Sequence, residues 1–193
     1  MSTNKEKANP SQKILATAFE CLSTRGYANV SMRNIANESG VALSQLTYYY
    51  KTKEGLFTEV INMMIHQYLH EIEDTLKPAA DSKEKMALLV KFFKELISDK
   101  PKLLRLFIDF TAQALWLPSF EEQVDRLFNN ITEIIEDNIL TDTKFDMNAE
   151  EYSSKSAAKL ILGALYGISI QIMLGSDKDS AFESLNLAEH LFI

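Results

Sequence analysis

Two groups of residues in this 193-residue chain have the types and spacing to do chemistry. His66 and His70 stand four positions apart, which on a helix places two imidazoles one turn apart, a spacing that can clamp a metal ion. A zinc protease with that pair would carry glutamate next to the first histidine as its base. Here the residue is Gln67, so the catalytic base is missing and no third ligand stands out along the chain. Pocket lining or a solvated polar face is the plainer reading of both histidines, and neither a metal nor a cofactor nor an enzymatic activity is expected. The second group lies between Ser31 and Lys53, in SMRNIANESGVALSQLTYYYKTK. Its amide, hydroxyl and ammonium groups suit recognition by hydrogen bonding.

The elements that must position this second group follow from helical spacing. Ile14, Leu15, Ala18, Phe19 and Leu22 recur on one face of a first helix from Ser11 to Arg25. Gly26 follows as a C-cap able to take positive φ. Ser31 can cap a short second helix carrying Ile35 and Ala36 inward, and Ser39-Gly40 ends it. A third helix runs from Ala42 to about Tyr49, and a fourth starts after Thr52 and continues to about Leu76, before Pro78. Ala36 is small enough for close crossing, Gly40 supplies a left-handed turn, and Val41 and Leu46 pack back on Ile35. That is the spacing of a helix-turn-helix.

The same residues resemble the TetR family of transcriptional regulators over about residues 11 to 60. Gly26-Tyr27 matches the end of the family's first helix, and Ser31, Arg33, Ile35 and Ala36 match its second. Gly40-Val41, Leu46-Thr47-Tyr48-Tyr49-Tyr50 and Lys51-Thr52-Lys53-Glu54-Gly55-Leu56 follow in the family's order. Leu43 and Ser44 replace a frequent Lys or Pro then Gly, Thr47 replaces the first tyrosine of a pair, and Tyr50 replaces a phenylalanine. The resemblance implies that the third helix enters the major groove, with Ala42, Leu43, Ser44 and Gln45 at the base edges. Gln45 can pair with adenine, and Ala42 and Leu43 can touch a thymine methyl. Thr47 lies on the same helix, and Tyr48, Tyr49, Lys53, Ser31 and Arg33 are placed for phosphates. Tyr50 reads as core.

The charge distribution agrees. The chain carries −7 overall, but residues up to Lys53 carry +4, leaving −11 for the remainder. Such asymmetry marks a nucleic-acid-binding end. The single cysteine, Cys21, allows no internal disulfide and fits a reducing cytoplasm, as a buried thiol. The first ten residues read as a polar arm with no signal-peptide pattern.

The remainder predicts further helices over Ser82–Asp99, Pro101–Trp116, Ser119–Leu140, Ala149–Leu174 and Asp179–Phe192. Scarce glycine and proline and the absence of a convincing strand make the fold class all-α, with about nine helices. The expected organisation is an arm over 1–10, a three-helix helix-turn-helix domain over 11–55, and a ligand-binding and dimerisation domain over 56–193. Residues Ala157 to Leu174 are apolar enough to raise a membrane span, but Lys159, Ser169 and Gln171 interrupt them, no basic cluster flanks them, and no membrane partner is expected.

The family resemblance implies an inducer pocket and a homodimer in this second part. Met63, His66, Phe93, Phe107, Phe110, Gln113 and Trp116 are the candidates for a small, lipophilic inducer such as a drug or fatty acid. A plain helical core is the alternative for each. Leu160, Gly163, Ala164, Gly167, Ile168, Leu187 and Leu191 are the candidates for a two-fold interface of close-packed helices. The function expected is a repressor that leaves palindromic double-stranded operator DNA when it binds inducer. Activation differs only in where the operator lies relative to a promoter. An adaptor that kept the helix-turn-helix as scaffold would lack steep salt-dependent DNA binding.

Overall fold

The computed structural model describes residues 9–140, 152–175 and 177–191, and among these it is all-helical. Helices α1 (Pro10–Arg25), α2 (Met32–Ser39) and α3 (Leu43–Tyr49) form a three-helix unit, with one 3-10 turn over Tyr27–Asn29. Helix α4 (Lys53–Leu76) leads into α5 (Ser82–Ser98), α6 (Pro101–Ala114), α7 (Pro118–Ile139), α8 (Ser154–Leu174) and α9 (Lys178–Leu191).

Caps fix these boundaries. Asn9 accepts from the Ser11 amide at 3.1 Å, and Thr52 Oγ1 accepts from Gly55 N at 3.0 Å. Ser31 and Asn34 form a reciprocal capping box on α2. Gly40 takes the left-handed conformation at φ 66°, ψ 33°, so the chain turns into α3 without a Cβ penalty. Helices α6 and α7 open on Pro101 and Pro118, whose missing N–H costs nothing in a first turn.

Three features depart from the sequence reading by more than a one-residue shift of a helix end. Helix α6 ends at Ala114, two residues before Trp116. The turn at Tyr27–Asn29 had no sequence signal. Helix α8 begins at Ser154: Ser153 is extended (φ −78°, ψ 152°) and caps the Ser156 amide at 3.1 Å. The expected start at Ala149, like Phe192 at the other end, lies outside the described residues.

The core runs from the three-helix unit into the larger body through aromatic rings. Phe57, wholly buried on α4, stacks on Tyr27 at 4.9 Å between ring centroids and meets Phe110 and Phe120 edge-on at 5.5 and 5.1 Å. The turn and helices α4, α6 and α7 therefore meet in one aromatic cluster, α1 packs on α4 and α6, and α8 packs between α7 and α9, with α5 against α9. Helix α8 is long and apolar enough to cross a membrane, yet only 33% of its most apolar window is buried within the chain. The rest is half-buried or exposed.

Candidate nucleic-acid interface and ligand cavity

Helix α3 is held by one wholly buried residue, Leu46, which leaves the opposite face free. Ala42, Leu43, Ser44, Gln45, Thr47, Tyr48 and Tyr49 are all exposed, as are Ser31 and Arg33 at the start of α2. The sequence-predicted contacts are therefore all open to solvent. Tyr48 is 80% exposed and meets Tyr49 edge-on at 5.5 Å, so two phenol rings stand side by side. The Thr47 hydroxyl bonds to the Leu43 and Ser44 carbonyls at 3.0 and 3.1 Å and is spent within its own helix. Tyr50 is buried, its hydroxyl 2.7 Å from Ser11 Oγ, which ties α3 to α1.

Lys53 is half-buried at the edge of this surface. Its ammonium sits 4.0 Å over the Tyr27 ring, a cation–π contact, and burial pulls its pKa below the usual lysine value against the pull of Glu54 and Asp109. Burial, with Glu54 beside it, pushes the Tyr27 phenol up to about 12. Its hydroxyl donates to Glu54 Oε1 at 3.1 Å.

The ligand candidates divide. Phe93 and Phe107 line an inner cavity with Tyr68, Ile72, Phe92, Leu104, Ile131 and Leu162, but its volume is only about 40 Å³. Met63 lines a separate groove of about 690 Å³ formed by α1, α4 and the start of α6. Phe110 belongs to the aromatic layer around Phe57. Gln113 Nε2 donates to Asp109 Oδ1 at 3.3 Å, and Trp116 is 82% exposed beyond the end of α6. His66 is exposed and lines neither space, and His70 pairs with Asp74 at 3.3 Å. Among the described residues no cluster of three or more metal-ligating side chains occurs.

The described interface candidates on α8 and α9 are exposed or half-buried. Leu160 and Leu187 are more than half exposed, and a Cβ built on Gly163 or Gly167 meets nothing within 4 Å. Ala164 and Ile168 are half-buried beside them. Leu191 closes α9, its side chain outside what is described.

Sequence reasoning did not reach Tyr68 or the groove. The groove joins residues 12–20, 63–68 and 99–103, and no local pattern announces such a meeting.

Residues 14–60 match the family model of bacterial regulatory proteins, tetR family. The likeness to that family is carried by the segment that holds the first three helices and the start of α4. The chain is 30% identical over 96 residues to the fatty acid metabolism regulator protein of Bacillus subtilis (strain 168), and the match spans half of that protein's length. It is 22% identical over 164 residues to the HTH-type transcriptional regulator LuxR of Vibrio harveyi, covering 83% of this chain and 77% of that one. The likeness in fold extends well beyond that segment. The crystal structure of the Bacillus subtilis transcriptional regulator FadR in complex with stearoyl-CoA superposes with a TM-score of 0.77 at 19% identity, covering 94% of this chain and 97% of that one.

Proposed function

We propose that the chain is a homodimeric, sequence-specific repressor that leaves a palindromic operator when a lipophilic small molecule binds. In this reading residues 11–55 hold the DNA and residues 56–193 bind ligand and dimerise. The observation that carries it is the free face of α3. Leu43, Ser44 and Gln45 are exposed, while Leu46 and Tyr50 fix the helix that presents them. Residues that a structure leaves outward on a helix held this firmly are available to base edges, with Tyr48, Tyr49, Ser31 and Arg33 flanking for phosphates.

The Bacillus subtilis match supports the ligand class: it is named a fatty acid metabolism regulator, and FadR of that organism was solved with stearoyl-CoA. A fatty acid or its thioester is therefore the ligand we assign. Helix α4 is the lever, since it begins at Lys53 beside the DNA face and reaches Met63 and Tyr68 at the cavities. Ligand releases DNA only to the extent that it binds the released arrangement more tightly than the operator-bound one.

The test is a mobility shift with the intergenic DNA beside the gene, run across a salt series and then with added fatty acid or acyl-CoA. The reading requires a saturable shift that steepens with falling salt and is reversed by one of these lipids. Sequence-blind binding would remove the operator-reading function. A shift insensitive to both lipids would remove the ligand class alone.

A further inference from the structure

The groove of about 690 Å³ lies at the seam between the helix-turn-helix and the helical body, outside the interior where the aromatic side chains crowd. Its floor is apolar: Leu15 and Phe19 from α1, Met63 and Met64 from α4, and Leu103 from α6. The inner cavity, at about 40 Å³, holds little more than a water-sized void. It is closed by rings in mutual contact, Tyr68 with Phe92 at 5.9 Å and with Phe107 at 5.4 Å. A chain-like ligand enters that space only by displacing packed rings. The groove already has the volume of a small-molecule site, roughly 300–1,000 Å³.

One end of the groove is polar, and Tyr68 there lies between the groove and the inner cavity. Tyr68 lines it and is 4% exposed, yet its hydroxyl has no hydrogen-bond partner. A buried hydroxyl left in that state carries a desolvation cost that a hydrogen-bonding ligand removes. Lys100 lies beside it, its ammonium 5.7 Å from the Tyr68 ring centroid. Helix α6 starts at the same place with no side-chain cap, so the positive end of its dipole favours an anionic or electron-rich group there. Lys102 completes the rim.

We propose that this seam groove is a ligand site for an acyl chain with a carbonyl head group, the chain on the Leu15–Phe19–Met63–Met64 floor and the head at Tyr68 and Lys100. The site rests on the fatty acid or thioester reading of the ligand and adds where that ligand lies. Its consequence is direct contact with α1. Lys100 now pairs with Glu71 at 2.7 Å, and Lys102 pairs with Glu20 of α1 at 2.7 Å. A bound head group competes for both lysines and loosens the Lys102–Glu20 tie between α1 and α6. The helix-turn-helix is then released by a ligand touching its own first helix.

The test is calorimetric titration of the full-length dimer with palmitate and, separately, with palmitoyl-CoA. Ala16→Trp fills the groove from an exposed position, and its affinity is expected to fall at least about tenfold. Tyr68→Phe keeps the ring and removes the hydroxyl, for an expected loss of about three- to tenfold. Ile131→Phe fills the inner cavity and leaves affinity unchanged, with thermal melts confirming that each variant folds. Tighter binding of palmitate identifies a carboxylate head, and tighter binding of palmitoyl-CoA identifies a thioester. If Ile131→Phe abolishes binding while Ala16→Trp does not, the groove proposal is overturned and the acyl-ligand reading survives. If the wild-type chain binds neither lipid, both fall together.

Discussion

The backbone N–H of Tyr27 donates to Oδ2 of Asp109 at 2.6 Å, joining the turn after α1 to the middle of α6. The same Asp109 carboxylate accepts from Gln113 and lies 3.5 Å from where a Cβ on Gly26 would sit. Gly26 has φ 78°, so a larger residue there would meet backbone strain as well as the carboxylate. A charged acceptor on a partly buried amide is among the stronger hydrogen bonds in proteins. Together with the Phe57 aromatic cluster, it ties the turn after α1 to α6 and α4.

Replacing Asp109 tests that tie. Asp109→Ala leaves the Tyr27 amide without its partner and is expected to destabilise the chain by about 1–3 kcal/mol. Asp109→Asn keeps an acceptor oxygen and should recover most of the loss. Urea unfolding of both variants at constant m-value is the measurement. Equal midpoints for wild type and Asp109→Ala would mean that the bond contributes nothing to stability.

The adjacent tyrosines of α3 separate recognition from structure. Tyr48 is 80% exposed, whereas the buried Tyr50 hydroxyl is bonded to Ser11. Tyr50→Phe should lower stability by about 0.5–1.5 kcal/mol, the net worth of one hydrogen bond. Tyr48→Phe should leave the melting temperature unchanged and weaken operator binding for every sequence alike. Gln45→Ala should cost about 1–3 kcal/mol at one base position and relax specificity there. A selection of preferred sequences from a random pool distinguishes the two effects. An unchanged preference for Gln45→Ala would exclude that residue as a reader.

Much of this architecture was legible because local chemistry sets it. Ser31, Thr52, Gly40, Pro101 and Pro118 act where their side chains or backbones satisfy or tolerate a helix terminus. The recognition face followed from Ala36, Gly40 and Leu46, whose sizes fix how two short helices cross. The cavity was not legible in the same way. Trp116 and Gln113 were candidates because a ring and an amide on adjacent turns can line a pocket. Helix α6 ends before Trp116, and Asp109 takes the Gln113 amide. Tyr68 matters through Phe92, Phe107 and Lys100, all more than twenty residues away in sequence. Only tertiary packing assembles such a set.

Cys21 offers a probe of how firmly α1 and α2 are held together. Its thiol is 2% exposed and donates to Glu38 Oε2 at 3.2 Å, while Arg25 pairs with the other Glu38 oxygen at 2.7 Å. Burial, and then the hydrogen bond to Glu38, raises the thiol pKa above its ordinary value of 9.0. The proton is thus held more tightly in the folded state. This contribution to stability is complete below the unfolded pKa and is lost as pH rises through the folded one. Maleimide-type labelling at pH 8 should be far slower in the native chain than in urea, with a pH midpoint above that of the unfolded thiol. Native labelling as fast as in urea would show that the α1–α2 contact opens freely.

The outward side of α8 and α9 is where two copies of the chain would meet. Leu160 and Leu187 are 57% and 54% exposed in the single chain, so a charge at either position costs the isolated subunit little. The neighbouring glycines, Gly163 and Gly167, leave space for close approach of a second helix. In a two-fold interface each position appears twice, so Leu160→Glu places a carboxylate on both partners within one contact. Sedimentation analysis should show the wild-type chain as a dimer and both Leu160→Glu and Leu187→Glu as monomers with unchanged helical content. Operator binding should fall with dimerisation, because a palindromic site needs two recognition helices about 34–36 Å apart in the simplest arrangement. If both variants remain dimeric, the subunits pair through another face and the spacing of the recognition helices must be set there.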